Sequence, residues 1–69
     1  MGIELTFGLN VRKFRVSRGW SQEDLADASD LDRTYISGVE RGTRNPTLRV
    51  VEQIASALGV KVTELLGQG

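Results

Sequence analysis

The stretch "SQEDLADASDLDRTYISGVERG", residues 21–42, decides the fold. Ser21 stands where a helix N-cap belongs, and Asp24, three residues on, stands where a capping box places its carboxylate. Trp20 before the cap and Leu25 form a hydrophobic staple. The spacing predicts a helix over about 22–28 that turns Leu25, Ala26 and Ala28 inward and stops at Ser29-Asp30. The same grammar then repeats. Asp32 is an N-cap, Leu31 and Ile36 are the staple, Ile36 and Val39 face inward, and Gly42 is the residue after the C-terminus. Two short helices joined by a tight turn of about four residues are a helix-turn-helix, here spanning about 22–41.

The second of these helices poses a chemical question. Ile36 and Val39 pack on a core, but the other side carries Arg33, Thr34, Ser37 and Gly38. A merely solvated face would more often hold Glu, Lys and Ala. Small polar residues, a glycine and one arginine let a helix lie close against something.

The rest of the chain extends the helical pattern outward. Phe7, Val11, Phe14 and Arg18 form one stripe of a first helix, which Gly19 ends. In "TRNP", Pro46 disfavours helix at Asn45 and precedes Thr47, a plausible N-cap. A fourth helix over about 48–58 buries Leu48, Val51, Ile54, Ala55 and Leu58, and Gly59 closes it. "VKVTELLG" reads as a short fifth helix with Val62, Leu65 and Leu66 apolar and with Lys61 as a poor cap. The expectation is an all-α, compact bundle of five short helices, a single domain over residues 1–69. A chain of 69 residues buries only about 60% of its unfolded surface, which favours helices with local contacts.

Composition removes several function classes. The chain has no cysteine and no histidine, so disulfides, thiol chemistry, the usual general base and the commonest metal ligand are excluded. No apolar run approaches the roughly 20 residues of a membrane span. "MGIELTFG" has neither the basic nor the apolar region of a signal peptide, and a cytoplasmic protein is expected. Glu23 and Asp27 are like charges on a solvent face, Asp24 is explained by capping, and no second polar cluster accompanies them. An enzyme is therefore not expected. Formal net charge is zero, but residues 10–20 sum to +4, residues 21–32 to −5 and residues 33–49 to +3. Folding could sort these into a basic and an acidic face, or the charges could be mixed for solubility.

"SQEDLA", "YISGVERG", "RNPT" and "IASALGV", in this order within residues 11–60, resemble the Cro and repressor type of helix-turn-helix protein, also called XRE-like. The string "LDRTYISGVERGTRNPT" is similar to the small controller proteins of restriction–modification systems. The resemblance implies a homodimer on a palindromic DNA operator, with the third helix in the major groove. It places Arg33, Thr34, Ser37 and Gly38 toward base edges, Gln22 against a phosphate, and Arg41, Arg44 and Asn45 against the backbone on the far side. It also implies a partly buried ion pair between Arg15 and Glu40. Asp30 occupies the turn position where the family usually has glycine.

The chemistry fits these roles. The planar fork of Arg33 can take O6 and N7 of a guanine together, worth about 1–3 kcal/mol against a wrong base. Thr34 offers a hydroxyl and a methyl, the latter suited to thymine, while Ser37 and Gly38 keep the helix thin. Gln22 adds a donor at a helix N-terminus that already favours an anion. Tyr35 either covers the core edge or reaches a phosphate, and the DNA side is preferred. Arg44 and Asn45 are either solvated loop residues or backbone contacts. Val62, Leu65 and Leu66 either cap the core or form a dimer interface, the role that the last two helices often have in the family.

The expected function is a dimeric, sequence-specific transcriptional regulator with double-stranded DNA as partner and RNA polymerase as a candidate second partner. No cofactor, metal, membrane or small-molecule ligand is expected. The chain ends soon after the fifth helix, so a ligand-sensing domain is not expected either. An antitoxin or phage-type repressor shares the fold, and a protein-interaction module is the alternative of a different class.

Overall fold

The computed structural model describes residues 2–67. It holds five helices: α1 (Ile3–Ser17), α2 (Gln22–Ser29), α3 (Arg33–Glu40), α4 (Leu48–Leu58) and α5 (Val62–Leu66). No strand occurs among the described residues. The expected caps form. Ser21 Oγ accepts from Asp24 N at 3.0 Å, and Ser21 N donates to Asp24 Oδ2 at 2.8 Å, a complete capping box. Asp32 accepts from Thr34 N and Thr47 from Val50 N. Lys61 gives α5 no side-chain cap, and its backbone N–H is instead taken up by Glu64 Oε2 at 2.8 Å.

One terminator ends the first four helices. The N–H of a residue past each end reaches back five positions: Trp20 to Arg15 O, Leu31 to Ala26 O, Thr43 to Gly38 O and Val60 to Ala55 O. This is the Schellman closure, which needs a left-handed residue just before that N–H. The left-handed residues are Gly19, Asp30, Gly42 and Gly59, and Asp30 (φ 59°) is the sole non-glycine with positive φ among the described residues. Three of the four closing residues, Trp20, Leu31 and Val60, are apolar and pack against the core. Each stop thus also turns the chain back into the bundle.

The core is Phe7 and Val11 from α1, Leu25 and Ala26 from α2, Ile36 and Val39 from α3, Val51, Ile54, Ala55 and Leu58 from α4, and Leu65 from α5. Two expected core positions are corrected. Ala28 is exposed. The helical step from Leu25 and Ala26 leads to Ser29, which is buried and donates its hydroxyl to Leu25 O at 2.7 Å. Leu48 is 84% exposed. It opens α4 one turn ahead of Val51, where the helix overhangs the end of the core, and Val50 takes the half-buried flank.

Two contacts set the position of α3. Gly8, in the interior of α1, is buried against the end of α3, and a Cβ built on it would lie 2.1 Å from Val39 O and 3.0 Å from Glu40 O. An interior helix glycine costs about 1 kcal/mol relative to alanine, and here it lets two backbones touch. Beside it, Arg15 grips Glu40 with both edges of its fork, Nε to Oε2 at 2.6 Å and Nη2 to Oε1 at 3.0 Å. The side chains are 12% and 4% exposed. Arg15 Nη1 also donates to Trp20 O at 2.7 Å, and Gln22 Nε2 donates to Glu40 Oε1 at 3.2 Å. The expected pair is therefore the centre of a network joining α1, the start of α2 and the end of α3. The hydrogen bonds that Arg15 donates to Glu40 raise the Arg15 pKa above its ordinary value, opposed by burial and helped by the carboxylate's charge.

Asn10 makes a comparable tie at the other side of α1. Its Nδ2 donates to Leu65 O and Gly67 O, both at 2.8 Å, and holds α5 in place.

Three stability outcomes follow. Gly8→Ala sets a methyl against backbone oxygens that cannot yield cheaply, and a loss of at least about 3 kcal/mol is expected, the upper end of overpacking costs, read by urea denaturation. Asp30→Gly relieves a left-handed aspartate and removes a negative charge from a helix C-terminus. Its expected gain is about 0.5–1 kcal/mol, a rise of a few degrees in Tm; a drop in Tm would contradict this account of the turn. Removing one member of the Arg15–Glu40 pair strands a buried charge at a cost of about 3 kcal/mol. Arg15→Met with Glu40→Leu together should cost less than either change alone.

Candidate nucleic-acid interface

At about 100° per residue, the buried side of α3 is centred on Ile36, Val39 and Glu40, and the opposite side carries Thr34, Ser37, Gly38 and Arg41. Arg33 lies on the flank between them, facing α2. With Arg15, Ser21, Gln22 and Glu23 it lines a shallow depression at the start of α2. Arg33 and Thr34 are exposed, as a reading role requires. Arg33 makes no ion pair among the described residues.

The other expected contacts are arranged less simply. Gln22 is half-buried, and one of its amide N–H groups is engaged by Glu40. A phosphate would have to be met by the other N–H or by displacing that bond. Ser37 is half-buried and its hydroxyl accepts from Arg41 Nη1. Tyr35 packs its ring against the core, the first of the two readings, and the guanidinium of Arg44 lies 5.4 Å from the ring centroid. Arg41, Arg44 and Asn45 are exposed at the end of α3 and in the loop that follows.

Two of the expected site residues are covered in this structure. Gly38 is buried and presents no open surface, because the Arg44 side chain lies across it. Thr43 N and Thr43 Oγ1 both donate to Gly38 O, which folds the loop back over α3. Leu65 cannot contribute to a dimer interface as α5 is placed, since it is 0% exposed and belongs to the core of its own chain. Val62 and Leu66 are half-buried against that core.

The electrostatics are sharper than the sequence suggested. Residues 33–49 contain four arginines and one acidic residue, Glu40. Glu40 is buried and bound to Arg15. Arg33, Arg41, Arg44 and Arg49 are all exposed. The surface of this segment therefore shows four guanidinium groups and no carboxylate, although the whole chain is formally neutral. Among the described residues no group of acidic side chains is arranged to hold a metal ion, and no helix is long and apolar enough to cross a membrane.

Contacts that depend on tertiary placement were not visible in the sequence. Arg44 over Gly38, Gln22 on Glu40 and Asn10 on α5 depend on how helices pack or loops reverse, and none leaves a periodic signal. Gly8 alone left a trace, as a glycine inside an otherwise helical stretch.

Comparison with known proteins bears on this geometry. Residues 11–65 match the helix-turn-helix family model. The control protein C.BamHI of Bacillus amyloliquefaciens is 54% identical over 65 residues, covering 93% of this chain and 80% of that protein. The Neisseria hypothetical transcription factor of Neisseria meningitidis serogroup B is 54% identical over 57 residues, covering 83% of this chain and 54% of that protein, so the chain spans about half of its length. Among solved structures, the restriction–modification controller protein C.Esp1396I, as a tetramer in complex with its natural 35 base-pair operator, superposes with a TM-score of 0.83 at 37% identity, covering 97% of this chain and 99% of that one. With its capped α2, its left-handed turn at Asp30 and the exposed Arg33 and Thr34 that open α3, the chain belongs to the helix-turn-helix family of DNA-binding regulators.

Proposed function

We propose that this chain is a sequence-specific transcription regulator of the restriction–modification controller type, acting as a homodimer on a pseudo-palindromic operator. The observation that carries the reading is the surface of residues 33–49: four exposed arginines and no exposed carboxylate, with Arg33 at the start of α3, Arg41 and Arg44 past its end and Arg49 in α4. Phosphates supply most of the affinity of such a surface, and base edges supply its sequence preference. The likeness to C.BamHI and to an operator-bound controller supports the controller role.

In this reading Arg33 and Thr34 meet base edges, with Ser37 beside them. Gln22, Tyr35, Arg41, Arg44 and Asn45 serve the backbone. Residues 1–69 act as one domain, and the half-buried Val62 and Leu66 contribute to subunit contact. A two-fold pair would set two α3 helices about 34 Å apart, one turn of DNA. The site of action is the cytoplasm, and position relative to a promoter decides whether RNA polymerase is recruited or blocked. An immunity repressor of Bacillus phage phi105 is also similar, at 34% identity over 64 residues, and it favours a phage-type repressor as the second reading. Membership of a family of DNA-binding regulators places the chain outside the enzymes.

Selection of bound sequences from random duplexes, followed by affinity measurements across a salt series, tests the proposal. One preferred palindromic sequence is expected, with affinity falling steeply as salt rises. Arg33→Ala should relax the preference at one position per half-site, about 1–3 kcal/mol of discrimination. Arg44→Ala should weaken all duplexes about equally and lower the salt slope by about 1. An unchanged preference in Arg33→Ala would remove Arg33 from the reading role. No binding even at low salt would point to a protein-interaction module instead.

A further inference from the structure

Gly38 sits on the outward side of α3, yet it is buried, and what buries it is Arg44. A Cβ built on Gly38 would lie 2.8 Å from Arg44 Cγ, 3.0 Å from its Nε and 3.4 Å from its Cδ. The stem of Arg44 thus occupies the volume that any other residue at position 38 would fill. The Tyr35 ring lies one helical turn back, and the Arg44 guanidinium lies over it at 5.4 Å from the centroid. The loop is held in register from below, since Thr43 N donates to Gly38 O at 3.0 Å and Thr43 Oγ1 at 3.1 Å. Gly42, left-handed at φ 75°, makes the reversal that brings position 44 back over position 38.

We infer that Gly38 is a positioning residue for Arg44: it contributes to DNA binding by seating the Arg44 side chain against α3, and not by meeting DNA itself. The inference rests on the DNA-binding reading above and deepens it. A long arginine in an exposed loop samples many rotamers, and fixing it on binding costs side-chain entropy. A seat formed by a bare Cα on one side and a π face on the other restricts those rotamers before DNA arrives. The other charge at the end of α3, Arg41, is tied to the helix by a different contact, a hydrogen bond from its Nη1 to the Ser37 hydroxyl.

Adding a methyl at position 38 displaces a flexible side chain rather than backbone, and alanine is the better helix former. Tm of Gly38→Ala is measured alongside binding, and a maintained Tm separates its effect from misfolding. The test is a double-mutant cycle on the selected operator with Gly38→Ala, Arg44→Ala and both together. Arg44→Ala is expected to weaken binding about tenfold. Gly38→Ala is expected to weaken it several-fold in the wild-type background and less than about twofold when Arg44 is already alanine. In the free protein, NMR should show the Arg44 methylene protons shifted upfield by the Tyr35 ring and close to the Gly38 Hα protons, and Gly38→Ala should abolish both signals.

Equal losses from Gly38→Ala in the two backgrounds, with Tm maintained, would overturn the inference and return Gly38 to direct DNA contact. Absence of the Arg44 shifts in the free wild-type protein would overturn it without reference to DNA. Failure of the wild type to bind any duplex while those shifts are present would sink the regulator reading, and the positioning role with it.

Discussion

The carboxylate of Glu40 is the constraint on which the rest of this small structure depends. It is the last residue of α3, it is buried, and it is taken by both edges of the Arg15 fork. A bidentate arginine–carboxylate contact fixes direction as well as distance. Through Arg15 the contact reaches Trp20 O at the start of the helix-turn-helix, and through Gln22 it reaches the first residue of α2. Three helices are thereby referenced to one side chain. The same bond has an electrostatic effect. Within residues 33–49 it withdraws the single negative charge from the surface, and the four exposed arginines there are left without a carboxylate in their segment. Stability and function are served by one interaction because the group that anchors α3 is also the one that would have neutralised it.

The neighbouring Gly8 shows how little slack surrounds that anchor. Helices normally pack through side chains at 8–10 Å between axes. Here the bare Cα of α1 meets the last carbonyls of α3, so the angle at which α3 leaves the bundle is set by backbone against backbone. A domain that buries few residues gains more definition from one such contact than from several flexible ones.

Much of the fold was legible in the sequence because its punctuation is local. The Ser21–Asp24 box, the caps at Asp32 and Thr47 and the glycines at 19, 42 and 59 each act within a few residues, and the structure uses all of them. Asp30 was recognisable as the same stop in a different residue. The limits have equally physical causes. Leu48 and Ala28 have the right residue type, but whether they are covered depends on where the core ends and which rotation a helix adopts. Leu65 was recognised as apolar, yet its burial follows from the orientation of α5, which Asn10 sets from 55 residues away. The Arg15–Glu40 pair spans 25 positions and followed from resemblance, not from periodicity. Within the interface, exposure of Arg33 and Thr34 could be anticipated from helix register. The covering of Gly38 could not, since it requires a loop reversal to be known first.

The short length of α5 gives the Asn10 tie a wider meaning. Five residues are too few to hold a helix in water by themselves, so α5 depends on the burial of Leu65 in the core and on Asn10 of α1, which holds Leu65 O and Gly67 O at its end. Whatever surface α5 offers to another molecule is therefore created by completion of the tertiary structure. A chain whose first helix has not yet docked has nothing there to associate with. A molecule that docks on that end would thus recognise only the folded chain, and its binding would in turn stabilise the fold.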